Sequence, residues 1–162
     1  MQATPDARPV TWHSLQLLMA LTLGLAGASA LLSRSGMPLY HQLTLPVFAP
    51  PGWLFPAVWS VLYPLMALCA WLRLRARPAD ALPALGLYLA QLLTNGIWPL
   101  LFFLQSAFGL AFVWLVLTCA LAMVTCARFF AASRWAGGLF LPYILWLCFA
   151  AVLNFSIARL NP

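Results

Sequence analysis

Lysine and glutamate are absent from this chain, carboxylate side chains are confined to Asp6 and Asp80, and the histidines are His13 and His41 alone. So sparse a set leaves no nucleophile, base and orienting group to assemble within the apolar segments. It also leaves no buried carboxylate relay of the kind that couples proton movement to transport. Charged residues make up 6% of the 162 residues and hydrophobic ones 65%, far from the roughly one quarter charged of soluble domains. The net charge of +6 comes from arginine alone. Those arginines sit at the ends of apolar runs, not in a patch, which argues against a nucleic-acid partner. Cys69, Cys119, Cys126 and Cys148 form no CxxC pair and read as small buried hydrophobes. Neither a disulfide nor a metal site is expected.

What is present is apolar length. A bilayer core of ~30 Å takes about 20 apolar residues per helix, and the sequence divides into five such runs, at approximately 13–33, 52–72, 82–104, 108–129 and 137–158. The expected fold is therefore an all-α integral membrane protein. It is a single domain over 1–162, a five-transmembrane-helix bundle that contacts membrane lipid. The first run is longer than the ~7–15 residues of a signal-peptide core and lacks a convincing cleavage site, so it is read as a retained span. Residues 1–11 read as a polar tail. Arg34 to Pro51, with Gly36, Pro38, Pro46 and the Pro50-Pro51 pair, reads as a long irregular connection. Its leucines, Val47 and Phe48 are too apolar for a solvated linker, and a lid over the mouth of the bundle is expected.

The most unusual stretch is Pro46 to Trp71, in which prolines punctuate an aromatic-rich helix. Trp53 and Trp71 lie where interfacial aromatic anchors belong, whereas Trp59, Tyr63 and Met66 share one face deeper in the span. Pro64 and Pro99 are interior and expected to disturb their helices. In the third span Gln91, Asn95, Trp98 and Phe102 fall on one stripe. Amides avoid lipid, so this stripe serves either interhelical hydrogen bonding or ligand contact. In the fifth span Trp146, Ala150 and Leu153 form a face, with Ala150 leaving room beside the indole. Ala20, Gly24, Gly27 and Ala28 in the first span are a close-packing signal, and Gly86 with Ala90 could seat a partner subunit. His41 is read as an exposed loop histidine or as a polar contact to a ligand.

Arginine placement sets the expected orientation. Arg8, Arg73, Arg75, Arg77, Arg128 and Arg134 fall on one side, and Arg34 and Arg159 on the other. The positive-inside rule then puts the N-terminus inside, the C-terminus and the lid outside.

Three separated segments, PVFAPPGWLFPAVWSVLYPLMALCAW, QLLTNGIWPLLFF and PYILWLCFAAVLNFSIARLN, together resemble the tryptophan-rich sensory protein/translocator protein (TspO/MBR) family in order and spacing. The resemblance implies a five-helix bundle, often a homodimer, whose cavity lies under the first long loop. It also implies a bacterial cell-membrane location and ligands that are porphyrin-type or otherwise hydrophobic small molecules. Protoporphyrin IX and haem would be ligands, not obligatory cofactors. Carried over by position, the implied pocket residues are Pro50, Pro51, Trp53, Trp59, Tyr63, Asn95, Trp98, Trp146, Ala150 and Leu153, to which Tyr40 of the loop pattern and Gln91 of the amide stripe are added. Three departures are visible. The family's loop pattern WYxxLxKP has Leu39 and Leu45 in place of tryptophan and lysine, an acidic residue early in span IV is Trp114, and the tyrosine of the sterol-recognition segment is Phe155.

The function expected is that of a membrane receptor or carrier that binds planar hydrophobic ligands in a tetrapyrrole or stress response. Two alternatives stand beside it. One is photo-oxidative breakdown of bound porphyrin, for which the resemblance points to Trp59 and Trp146. The other is transport of a sterol or other small molecule.

Overall fold

The computed structural model describes residues 10–162, so the expectations for the polar tail and for Arg8 lie outside the described residues. Helix α1 runs Trp12–Gln42 and α2 Leu54–Ala76. A 3-10 turn at Pro78–Asp80 leads to α3, Ala81–Pro99, which continues as a π-helical turn at Leu100–Leu104. Then come α4 (Phe108–Ala132), a short α5 (Arg134–Gly138) and α6 (Leu141–Leu160). These form five segments long and apolar enough to cross a bilayer, and the described residues contain no strand.

The packing is a ring. α1 lies against α2 and α3, α3 against α4, α4 against α6, and α5 closes the circuit onto α2. The half of the bundle that holds the end of α2 is filled by Met66, Cys69, Ala70, Tyr88, Phe129, Phe140 and Tyr143, all fully buried. Tyr88 and Thr22 share a hydrogen bond of 2.6 Å that pins α3 to α1. Below this layer Arg73, buried in the last turn of α2, donates to the Arg77 carbonyl and to both the carbonyl and carboxylate of Asp80, so the turn from α2 to α3 is held from within. Trp71 is buried too, stacked on Trp12 at 5.2 Å with the Arg75 guanidinium over its ring. It anchors the α1 N-terminus more than it faces headgroups. Trp53, by contrast, is 68% exposed at the start of α2.

The first span is the main difference from the sequence reading. The helix does not stop near Ser33 but continues to Gln42 through Gly36 and Pro38. Its 31 residues rise about 46 Å at ~1.5 Å each, well beyond a ~30 Å apolar core. Gly and Pro are local helix-breaking signals, and here tertiary contact overrides them. Buried Gly36 lies directly under the Phe103 ring, and buried Tyr40 donates a hydrogen bond of 3.0 Å to the Pro50 carbonyl. The irregular connection is correspondingly shorter, residues 43–53. It is tied down at its start, where Asn161 accepts from the Thr44 amide and donates to the Thr44 carbonyl, each at 3.0 Å.

The side of α1 that packs inward carries Thr22, Ala26, Ser29, Gly36 and Tyr40. The Ala20, Gly24, Gly27 and Ala28 side points outward instead, and a methyl group at Gly24 or Gly27 would meet no protein atom within 4 Å. Gly86 is equally open. Pro64 is accommodated inside α2 without interrupting it. At Pro99 the missing N–H coincides with a change of helix type, and Gln105 bonds back five residues to the Leu100 carbonyl at 3.1 Å. Such π turns place side chains that a regular helix would direct elsewhere.

Candidate functional site

Above the packed layer the helices separate around a cavity of about 1020 Å³, at the upper end of the ~300–1,000 Å³ usual for small-molecule sites. Its walls come from one side of α1, from the 43–53 loop, from the first half of α2, from the α3–π junction and from the last half of α6. Each wall has a local cause. The α1 wall carries Ser29, Ser33, Arg34, Met37, Tyr40 and His41, the last four present on it because the helix persists past Ser33. The loop wall is Leu45, Ala49, Pro50, Pro51, Gly52 and Trp53. Gly52 sits against the Met37 sulfur and the His41 ring, a close approach that a larger residue would obstruct.

On α2, Trp59 and Tyr63 are four residues apart and stack at 4.8 Å with their planes 27° apart. On α3, Trp98 stacks on Phe102 with the same separation and angle. Trp98 is fixed in turn by Asn154 of α6, whose Oδ1 accepts from Nε1 at 2.9 Å while its Nδ2 donates to the Phe108 carbonyl at 2.9 Å. One buried amide therefore joins α3, the start of α4 and α6, and sets the plane of an indole facing the cavity. Ala150 and Leu153 complete the α6 wall. The one carboxamide facing the cavity with a free donor is Asn95, 5% exposed, whose Nδ2 has no partner among the described residues.

Ten of the twelve residues expected at the site line this cavity: Tyr40, Pro50, Pro51, Trp53, Trp59, Tyr63, Asn95, Trp98, Ala150 and Leu153. Gln91 and Trp146 do not. Gln91 is fully buried a turn deeper, where its Oε1 accepts from the Tyr143 hydroxyl at 2.6 Å. Of the two readings of the amide stripe, interhelical bonding describes Gln91 and cavity lining describes Asn95. Trp146 stands behind Trp59 in an edge-to-face contact of 6.5 Å, and also meets Phe55 and Phe149. The residues that sequence reasoning missed are chiefly those of α1 and the π turn: Ser29, Ser33, Arg34, Met37 and Phe103. The polar and small residues of α1 at three- and four-residue spacing were the available signal, masked by the more conspicuous glycine and alanine side.

No group of three or more His, Cys, Asp or Glu side chains placed to hold a metal occurs among the described residues. The cavity wall is mostly apolar and aromatic with few polar groups, the make-up usual for small-molecule sites.

Comparison with known proteins agrees with the bundle. The model of the TspO/MBR family matches residues 9–160. The chain is 35% identical over 139 residues to protein CrtK of Rhodobacter capsulatus, covering 85% of this chain and 86% of that protein. It is 38% identical over 129 residues to the translocator protein of Sus scrofa, covering 78% and 76% respectively. Against the tryptophan-rich sensory protein of Cereibacter sphaeroides it is 38% identical over 122 residues, covering 75% and 76%. With its five apolar helices and a match over nearly its full length, the chain is a multi-pass integral membrane protein that belongs to the TspO/MBR family.

Proposed function

We propose that this protein is a membrane receptor or carrier that takes planar hydrophobic ligands of the tetrapyrrole class, such as protoporphyrin IX or haem, into the cavity beneath the 43–53 loop as part of a tetrapyrrole or stress response. The observation that carries the reading is the pair of stacked aromatic faces, Trp59 on Tyr63 and Trp98 on Phe102, both lining one cavity. Ring faces at fixed angles favour a rigid flat guest over a flexible chain. Asn95 offers such a guest one buried donor. The loop, tethered through Tyr40 and Asn161, acts as the lid.

Titrating the purified protein with protoporphyrin IX is expected to quench its tryptophan fluorescence saturably. Trp59→Phe weakens the affinity by about two- to tenfold, the range of one aromatic pair, whereas Trp146→Phe has a smaller effect because its contact is with Trp59. A linear, unsaturable quench in the native protein would remove the cavity from consideration.

The Trp59–Trp146 contact supports a second reading, in which tryptophan donates an electron to the photo-excited porphyrin and dioxygen serves as oxidant. The same titration under illumination reads it. A new absorbing product whose yield falls in both variants is expected, and bleaching at the rate of free porphyrin would reject it.

Among the described residues, Arg73, Arg75, Arg77, Arg128 and Arg134 lie toward one end of the bundle and Arg34 and Arg159 toward the other. We infer a bacterial cell-membrane protein with its N-terminus inside. Reporter fusions at both termini are expected to show an inner N-terminus and an outer C-terminus, and the reverse pattern overturns this. A homodimer is the assembly proposed, with the open Gly86 side of α3 available to it.

A further inference from the structure

The cavity's polarity is graded along its depth. Its buried polar residues Ser29, Asn95 and Asn154 are uncharged, and at the rim stands a single charged side chain, the exposed Arg34. No carboxylate lines the cavity, and among the described residues Arg34 has no ion-pair or hydrogen-bond partner, the one salt bridge being Arg73 with Asp80. The loop opposite contributes apolar and proline residues without charge. His41 stands seven residues along the same helix, two turns or about 10.5 Å away, and also lines the opening. A solvent-exposed cation at the mouth of an apolar slot, with no carboxylate among the lining residues, complements a guest whose body is apolar and whose edge is anionic.

From this we propose that the site is selective for carboxylated amphipaths, with Arg34 as the residue that anchors the ligand's carboxylate at the rim and thereby fixes which edge of the ligand enters first. The inference rests on the cavity being the ligand site proposed above. A guanidinium suits the task because its planar fork meets a carboxylate through two parallel bonds. Its position on a helix, instead of on the loop, keeps the anchor in place whether or not the loop moves.

The test compares protoporphyrin IX with its dimethyl ester, the same ring with both carboxylates neutralised, titrated into full-length protein in a neutral detergent. The native protein is expected to favour the acid over the ester by about tenfold, between the weak effect of an exposed ion pair and the larger one of a charge-assisted hydrogen bond. In Arg34→Gln the ratio falls to near one. Arg34→Lys retains part of it, and raising the salt to about 0.5 M shrinks it in the native protein, because an exposed pair is screened. A thermal melt of each variant verifies that it is folded. Equal affinity for acid and ester in the native protein, or a preference that survives Arg34→Gln, overturns the anchor and leaves the cavity reading standing. Failure of the folded native protein to bind either compound overturns the cavity reading and this inference with it.

Discussion

Ala150→Trp is expected to abolish high-affinity porphyrin binding while leaving the protein folded. Ala150 lies half-buried on the α6 wall, one turn from Leu153 and Asn154 and one turn from Trp146. Its methyl group faces the slot whose other walls carry Trp59 and Trp98. A flat ligand needs an unobstructed gap, not merely volume, so one indole laid across it is disproportionately effective. Forcing extra bulk into an occupied apolar space costs about 1–3 kcal/mol, which at the upper end is a loss of about a hundredfold in affinity. In the ligand-free protein the same ring occupies open space, and the melting temperature should move little. Ala150→Ser, which adds one oxygen, serves as the control and should bind within a few fold of the native protein. Unchanged protoporphyrin titration in Ala150→Trp would place the ligand elsewhere on the molecule.

That prediction depends on Ala150 being at the site, and the sequence already pointed to it, along with most of the α2 and α3 walls. Helical spacing put Trp59 beside Tyr63 and Asn95 beside Trp98, and both pairs line the cavity. The five spans were equally legible, since an apolar run of the right length has few alternatives in a chain this poor in charge. The errors have a common physical origin. A stripe drawn along a helix specifies a direction but not what stands opposite at each depth. At the level of Gln91 the space is filled by Tyr143, whose hydroxyl binds the amide, and only a turn later does the cavity open at Asn95. Trp146 likewise shares the side of Ala150 but sits where Trp59 intervenes.

The extension of α1 was hidden for a different reason. Gly36 and Pro38 weaken a helix locally by about 1 and 3 kcal/mol respectively, and a reading of propensity ends the span there. The compensating contacts come from outside the helix, from the distant Phe103 and from the Pro50 carbonyl ten residues beyond Tyr40. The fifth span departs for a local reason. Ser133 caps a separate short helix by accepting from the Ala136 amide at 3.3 Å, and the long helix begins only at Leu141. Because Arg34 and His41 ride on the part of α1 that the sequence did not reveal, the rim of the site was the part least visible in advance.

Gly36→Ala is expected to be among the most destabilising single-methyl changes available to this protein, and it tests whether the α1 extension depends on close approach to the π turn. A methyl group at Gly36 would overlap Cβ, Cγ and Cδ1 of Phe103. The overlap with Cβ matters most, because that atom moves only with the backbone, whereas a ring can rotate away. Phe103 also packs edge-to-face on Trp98 and Phe102, at 5.8 and 5.0 Å, so its escape would disturb the cavity wall. Overpacking of this kind costs about 3 kcal/mol, opposed by the gain of up to ~1 kcal/mol from replacing a helical glycine with alanine. The net, about 2 kcal/mol, corresponds to a fall of roughly 4–8 °C in melting temperature for a chain of this size. Phe103→Ala should restore only part of the loss in the double variant, since its Cβ remains in place, and that non-additivity distinguishes direct collision from a general softening of α1. By contrast Gly24→Ala, on the open side of the same helix, gains helix propensity without collision and should raise the melting temperature slightly. If Gly36→Ala and Gly24→Ala behave alike, the contact between α1 and the π turn is not what holds residues 34–42 helical.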